Sequence, residues 1–143
     1  MNQTLLIAEG DAELCDAYRR FFARKGWDVE TASDALDCLE KLRRVTPAVL
    51  VLDLELRWGG ADGVLAWLRE EGAKPGVAVV LTTTAGYAPD MAAFTEPPVV
   101  DYLRKPCALS ALLESVRSAV ARAGRREPSN PNHVAVYSEL FIG

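Results

Sequence analysis

Ala48-Val49-Leu50-Val51-Leu52-Asp53 is the stretch that decides how this chain folds. It is a continuous apolar run ending on a carboxylate. A strand with one face in water alternates apolar and polar residues; an unbroken run reads as a strand buried on both faces, as in a parallel sheet covered by helices. The rest of the chain should then alternate strands with helices, and it does. Upstream, Leu5-Leu6-Ile7-Ala8 is a second buried strand, and Leu14, Tyr18, Phe21 and Phe22 follow at helical spacing up to Gly26. Trp27, Val29 and Thr31 alternate with charged residues, as in a more exposed strand. Ser33 is predicted to cap a helix carrying Leu36, Leu39 and Leu42, ended before Pro47.

Downstream, a glycine-rich loop from Arg57 to Gly63 precedes a short helix predicted from Val64 to about Glu71, then a turn from Gly72 to Gly76. Val77 to Leu81 is another buried strand, ending in Thr82-Thr83-Thr84. The segment from Pro89 to Phe94 is weakly helical and is cut by Pro97-Pro98. Val99 to Leu103 is the last strand, followed by Lys105-Pro106 and a helix with Leu109, Leu112, Leu113, Val116 and Val120 on one face, ended at Gly124. Five strands alternating with helices predict an α/β domain, doubly wound, with a parallel sheet, right-handed crossovers and helices on both faces.

Composition sets the outer bounds. With 143 residues, half of them apolar and a quarter charged, the chain fits one domain with a real core and excludes a disordered, collagen-like or disulfide-scaffold protein. A net charge of -4 argues against a nucleic-acid-binding face. Cys15, Cys38 and Cys107 form no CxxC pair, so we expect bystander thiols in a reducing compartment. No stretch approaches the about 20 apolar residues that cross a bilayer, and the start has no signal-peptide pattern. A cytoplasmic protein with no membrane contact is expected. From Arg125 the composition shifts to a Pro/Asn-rich linker. The predicted division is therefore 1–124 as the domain and 125–143 as linker and short tail. The apolar tail residues Val134, Val136, Tyr137, Leu140, Phe141 and Ile142 should seek a surface, on their own domain or on a second copy in a homodimer.

In open parallel sheets, ligands bind at the carboxyl ends of the strands, where strand order reverses. Those ends carry Glu9-Gly10-Asp11, Asp53, Thr82 to Thr84 and Lys105. Clustered carboxylates repel one another and call for a hard divalent cation held by oxygen. A lysine and a hydroxyl opposite them suit a phosphoryl group. An aspartate beside metal and lysine is a reasonable nucleophile for accepting phosphate. Against these stand plainer roles: a strand-end cap for Asp53, a solvated acid for Glu9, a helix N-cap for Asp11, strand propensity for the threonines and a core position for Tyr102.

With Glu9 after the first strand, Val49 to Asp53, Asp62-Gly63, a hydroxyl after the fourth strand and Asp101-Tyr102-Leu103-Arg104-Lys105-Pro106, the chain resembles the receiver domain of two-component response regulators over residues 4–123. The resemblance implies a flavodoxin-like strand order 2-1-3-4-5 and a phospho-acceptor module, not an enzyme. Asp53 would be the acceptor, Lys105 would bind the phosphoryl oxygens, and a hydroxyl among Thr82, Thr83 and Thr84 would bond the phosphate. Counting back from Lys105 selects Thr83, which is the preferred candidate, whereas the family's Thr-Ala dipeptide selects Thr84-Ala85. Tyr102 matches the aromatic that turns inward with that hydroxyl, and the Lys105–Pro106 bond would be cis. Magnesium is the implied cofactor, with Glu9 and Asp53 as ligands, the backbone carbonyl of Glu55 completing the site and Asp11 as a further candidate. A histidine kinase or phosphotransfer protein is the implied donor. With no predicted output domain, a downstream protein would be reached by contact.

The chain departs from the family pattern in places. The family has two adjacent acids after the first strand; here the second position is Gly10. The loop after Asp53 lacks the usual proline and is longer than common, and the fourth helix is short and proline-rich. Gly10 predicts weak magnesium binding and admits an alternative, a degenerate receiver that binds partners without phosphorylation. A flavodoxin-like nucleotide binder is disfavoured, since the acidic Glu9-Gly10-Asp11 would repel phosphate. So is an aspartate-nucleophile phosphatase, whose second aspartate would stand where Glu55 is.

Overall fold

The computed structural model describes residues 3–57, 60–70, 76–84 and 96–125. In chain order the elements are β1 (Thr4–Ala8), α1 (Ala12–Arg24), β2 (Asp28–Ala32), α2 (Ala35–Arg44), β3 (Val49–Asp53), α3 (Gly60–Arg69), β4 (Ala78–Thr83), β5 (Val99–Arg104) and α4 (Leu109–Arg125). The strands form one parallel sheet in the order β2-β1-β3-β4-β5, as expected. Every residue of β3 and β4 is buried, whereas the edge strands β2 and β5 each expose one face. That contrast is the one their sequences carry: unbroken apolar runs inside, alternation at the edges.

Alternation along β3 divides the core. Leu50 and Leu52 pack with Leu6, Ala8, Leu42 and Leu65 under α2 and α3. Val49 and Val51 pack with Leu5, Ile7, Tyr18, Phe22 and Val116 under α1 and α4. Asp53 continues the Val49–Val51 row, so its carboxylate emerges on the α1/α4 side of the strand end. Because strand order reverses between β1 and β3, a crevice opens there.

Local expectations fail in four places. Asp34, not Ser33, caps α2, with Oδ1 accepting from Asp37 N at 2.8 Å. Asp37 stands three residues past Asp34 and its carboxylate accepts in return from Ser33 N, whereas the third residue past Ser33 is Leu36, which has nothing to return. The buried stripe of α2 is Ala35, Cys38 and Leu42, leaving Leu36 63 % exposed. α3 begins at Gly60 rather than Val64 and ends at Arg69 rather than Glu71; its buried residues Ala61, Val64, Leu65 and Leu68 keep helical spacing, but Ala61 and Gly63 are too small to signal it. Leu109 is exposed at the start of α4, which runs one residue past the predicted boundary to Arg125. Gly26 (φ 93°) supplies the left-handed residue after α1 that the sequence predicts.

Cys15, Cys38 and Cys107 are unpaired, with Cys38 wholly buried and its thiol pushed up to about 12 by burial. Among the described residues no helix is long and apolar enough to cross a membrane. The segment 89–94 that the sequence predicts as weakly helical, Trp58, most of the predicted turn 72–76 and the tail beyond Arg125 lie outside the described residues.

Candidate functional site

A cavity of about 770 Å³ opens at the carboxyl end of the sheet, lined among others by Glu9, Gly10, Asp11, Asp53, Glu55, Thr84 and Lys105. Each side chain reaches it from a strand end. Asp53 ends β3 in register with Thr82 of β4, and Lys105 follows β5 directly, its N–H bonded to Thr83 O at 2.7 Å. The Lys105–Pro106 peptide is cis.

Lys105 Nζ donates to Glu9 Oε1 at 2.9 Å and to Asp53 Oδ1 at 3.2 Å. All three side chains are buried, between 3 % and 8 % exposed. One ammonium thus holds two carboxylates. Burial pushes the Glu9 carboxyl above its usual range, and the bonds from Asp11 N and Lys105 pull only partly back. For Lys105 burial works against the charge, yet the bond to Glu9 and the charges of Asp53 and Glu9 more than offset it, so its pKa is raised. Asp53 Oδ1 also accepts from Glu55 N at 2.9 Å, while Oδ2 carries the longer contact from Gly10 N at 3.3 Å. Oδ2, the less engaged oxygen, is therefore the one better able to form a new bond.

The other wall is the end of β4. Thr83 Oγ1 donates to Glu55 Oε2 at 2.6 Å, and Thr84 donates to Glu55 Oε1 through both its N–H (2.8 Å) and its hydroxyl (3.0 Å). Thr83 is buried and Thr84 exposed, and Thr84 lines the cavity with Asp53 and Lys105. The Thr82 hydroxyl is buried without a partner among the described residues.

The chain matches the model of the response regulator receiver domain over residues 5–117. It belongs to that family. Relatives include the probable transcriptional regulatory protein TcrX of Mycobacterium tuberculosis, 29 % identical over 121 residues, covering 85 % of this chain and 51 % of TcrX. The response regulator MprA of Mycobacterium leprae is 30 % identical over 119 residues, covering 82 % of this chain and 51 % of MprA. The chain thus spans about half the length of these curated relatives. The fold is that of a CheY-like receiver domain protein from Methanospirillum hungatei (TM-score 0.77, 19 % identity, 87 % of this chain and 98 % of that one). A two-component response regulator from Clostridium difficile gives a TM-score of 0.76 at 21 % identity, covering 85 % and 98 %. The chain is a receiver module of two-component phosphorelay signalling.

Receiver domains generally bind magnesium at the acidic pocket. Among the described residues no group of three or more acids, histidines or cysteines is placed to hold a metal. Asp11 lines the cavity but is engaged as the cap of α1, its Oδ1 accepting from Leu14 N at 3.1 Å, and Gly10 offers no side chain. Glu9 and Asp53 remain. Two carboxylates suit magnesium, which keeps most of its waters, better than an ion needing a full protein cage. A Cβ built on Gly10 would lie 3.8 Å from Asp53 Oδ2, in ordinary contact, so the place of a further carboxylate is open. Tyr102 is 45 % exposed at the surface rather than in the core. Sequence reasoning gave Glu55 a role here through its carbonyl and missed its side chain, which bonds Thr83 and Thr84.

Proposed function

We propose that this receiver domain accepts a phosphoryl group on Asp53 from a histidine kinase or a phosphotransfer protein, in the cytoplasm. The observation that carries this is the buried pairing of Asp53 with Lys105 at the mouth of the crevice. Asp53 Oδ2 forms the new O–P bond while the P–N bond to the donor histidine breaks, its electron pair leaving on the imidazole. Lys105, already shared between two carboxylates, turns toward the phosphoryl oxygens and keeps their charge neutralised. Thr84, on the cavity wall, is better placed than Thr83 to bond the phosphoryl oxygens.

Glu9 and Asp53, with the Glu55 carbonyl, would hold magnesium, whose positive charge screens the carboxylates from the phosphoryl oxygens. With Gly10 beside them this binding is weak. The domain is a substrate of phosphoryl transfer, not an enzyme in its own right, and it passes the signal to a downstream protein by contact, with a homodimer as one such contact. Tyr102, on β5 three residues before Lys105, is the exposed aromatic that would report the change on the surface. The alternative of a degenerate receiver is less favoured, because Asp53 and Lys105 form a buried pair at the crevice.

Intact-mass spectrometry after incubation with a small acyl phosphate tests the reading. A single phosphoryl adduct should form with magnesium present and fade when the ion is chelated. An unmodified mass under both conditions would favour the degenerate receiver.

A further inference from the structure

We propose that the Glu55 side chain is an internal competitor of the phosphoryl group, clasping the β4 donors until phosphorylation of Asp53 displaces it; this rests on Asp53 being the acceptor. One carboxylate takes three hydrogen bonds from two consecutive residues: the Thr83 hydroxyl, the Thr84 N–H and the Thr84 hydroxyl. An anion with two oxygens bound by a hydroxyl pair and a backbone N–H is met as a phosphoryl group would be met.

Each donor has a single proton. The Thr84 hydroxyl cannot serve Glu55 and a phosphoryl oxygen together, and neither can its N–H. Glu55, Thr84, Asp53 and Lys105 line the same cavity, so the two anions compete in one place. They also repel, because a phosphoryl group on Asp53 adds negative charge beside the Glu55 carboxylate. Glu55 is free to leave, since it is exposed and its backbone is fixed independently, with its N–H on Asp53 Oδ1. Its release breaks the bond to the Thr83 hydroxyl along with both bonds to Thr84, so two consecutive residues at the end of β4 respond together. Lys105 N is bonded to Thr83 O, which ties that change to the lysine and, through it, to β5.

The test compares wild type with Glu55→Ala and Glu55→Gln, reading the Thr84 amide resonance of the unmodified protein and the rate of labelling by an acyl phosphate. Glu55→Ala should shift the Thr84 amide strongly upfield and speed labelling about tenfold, equivalent to 1.4 kcal/mol. Glu55→Gln keeps the shape without the charge and should fall between. An unchanged amide, or a changed amide with unchanged labelling, overturns the competition while leaving Asp53 as acceptor. Absence of labelling in all three proteins overturns both.

Discussion

Asp53 stands between two flanks built on opposite plans. At the ends of β1 and β5, Glu9 and Lys105 are buried ions, and one lysine bridges two carboxylates. On the β4 side, Glu55 is an exposed ion held by neutral donors, two hydroxyls and one backbone N–H. The buried flank is tied into the fold, because removing any charge strands the others away from water. The exposed flank can exchange its partners at little cost. A site that must accept a charged group and then respond to it needs both, a fixed positive anchor and a releasable wall.

The largest difference should appear on deleting the anchor. Lys105→Met leaves Glu9 and Asp53 facing each other without a cation and should destabilise the fold by about 3 kcal/mol in urea unfolding. Glu55→Ala on the opposite flank should cost less than about 1 kcal/mol, since its carboxylate remains hydrated. Equal costs would erase the distinction between the flanks.

The flanks should also differ in their response to pH. The folded Glu9 carboxyl titrates above its ordinary 4.5, so the folded protein holds that proton longer than the unfolded chain does, and stability falls as pH climbs from 4.5 through the folded value. Lys105 titrates above 10.5 when folded, so its contribution is complete below 10.5 and is lost as pH rises through the folded value. Glu9→Gln should flatten the acid-side slope and also weaken the alkaline loss, since Glu9 is the chief partner that raises Lys105, as read from urea midpoints across pH. A slope untouched by Glu9→Gln would assign it to another group.

Gly10→Asp sharpens the comparison by adding a carboxylate to the buried flank. Its Cβ would meet Asp53 Oδ2 at 3.8 Å without a clash. Magnesium affinity by titration calorimetry should rise about tenfold. If wild type already binds as tightly, another group fills that position.

Asp11→Ala should have a small effect confined to its helix. Asp11 caps α1, so its loss should cost about 1 kcal/mol of stability and leave magnesium affinity unchanged. A drop in affinity with stability intact would return Asp11 to the metal site.

The same division marks what the sequence makes legible. Strand ends carry chemistry in a fixed place, so Glu9, Asp53 and Lys105 could be placed on one rim from the apolar runs that precede them. Buried strands announce themselves because all their residues must be apolar, which is why β1, β3 and β4 were read within a residue or so. The start of α3 was missed because Ala61 and Gly63 bury little and carry no hydrophobic signal. The cap of α2 was misplaced by one because Ser33 and Asp34 are both good caps, and only the bonds from Asp37 N to Asp34 and from Ser33 N to the Asp37 carboxylate select between them. The Glu55 clasp depends on where a loop side chain turns, and spacing along the chain does not encode that.

The most direct test of the central claim, that Asp53 is the acceptor, is intact-mass and peptide-level mass spectrometry of wild type and Asp53→Asn after exposure to an acyl phosphate with magnesium. Wild type should gain one phosphoryl group, located on the peptide containing Asp53, and Asp53→Asn should gain none while its circular dichroism stays that of wild type. Labelling of a folded Asp53→Asn at the wild-type level would contradict the account.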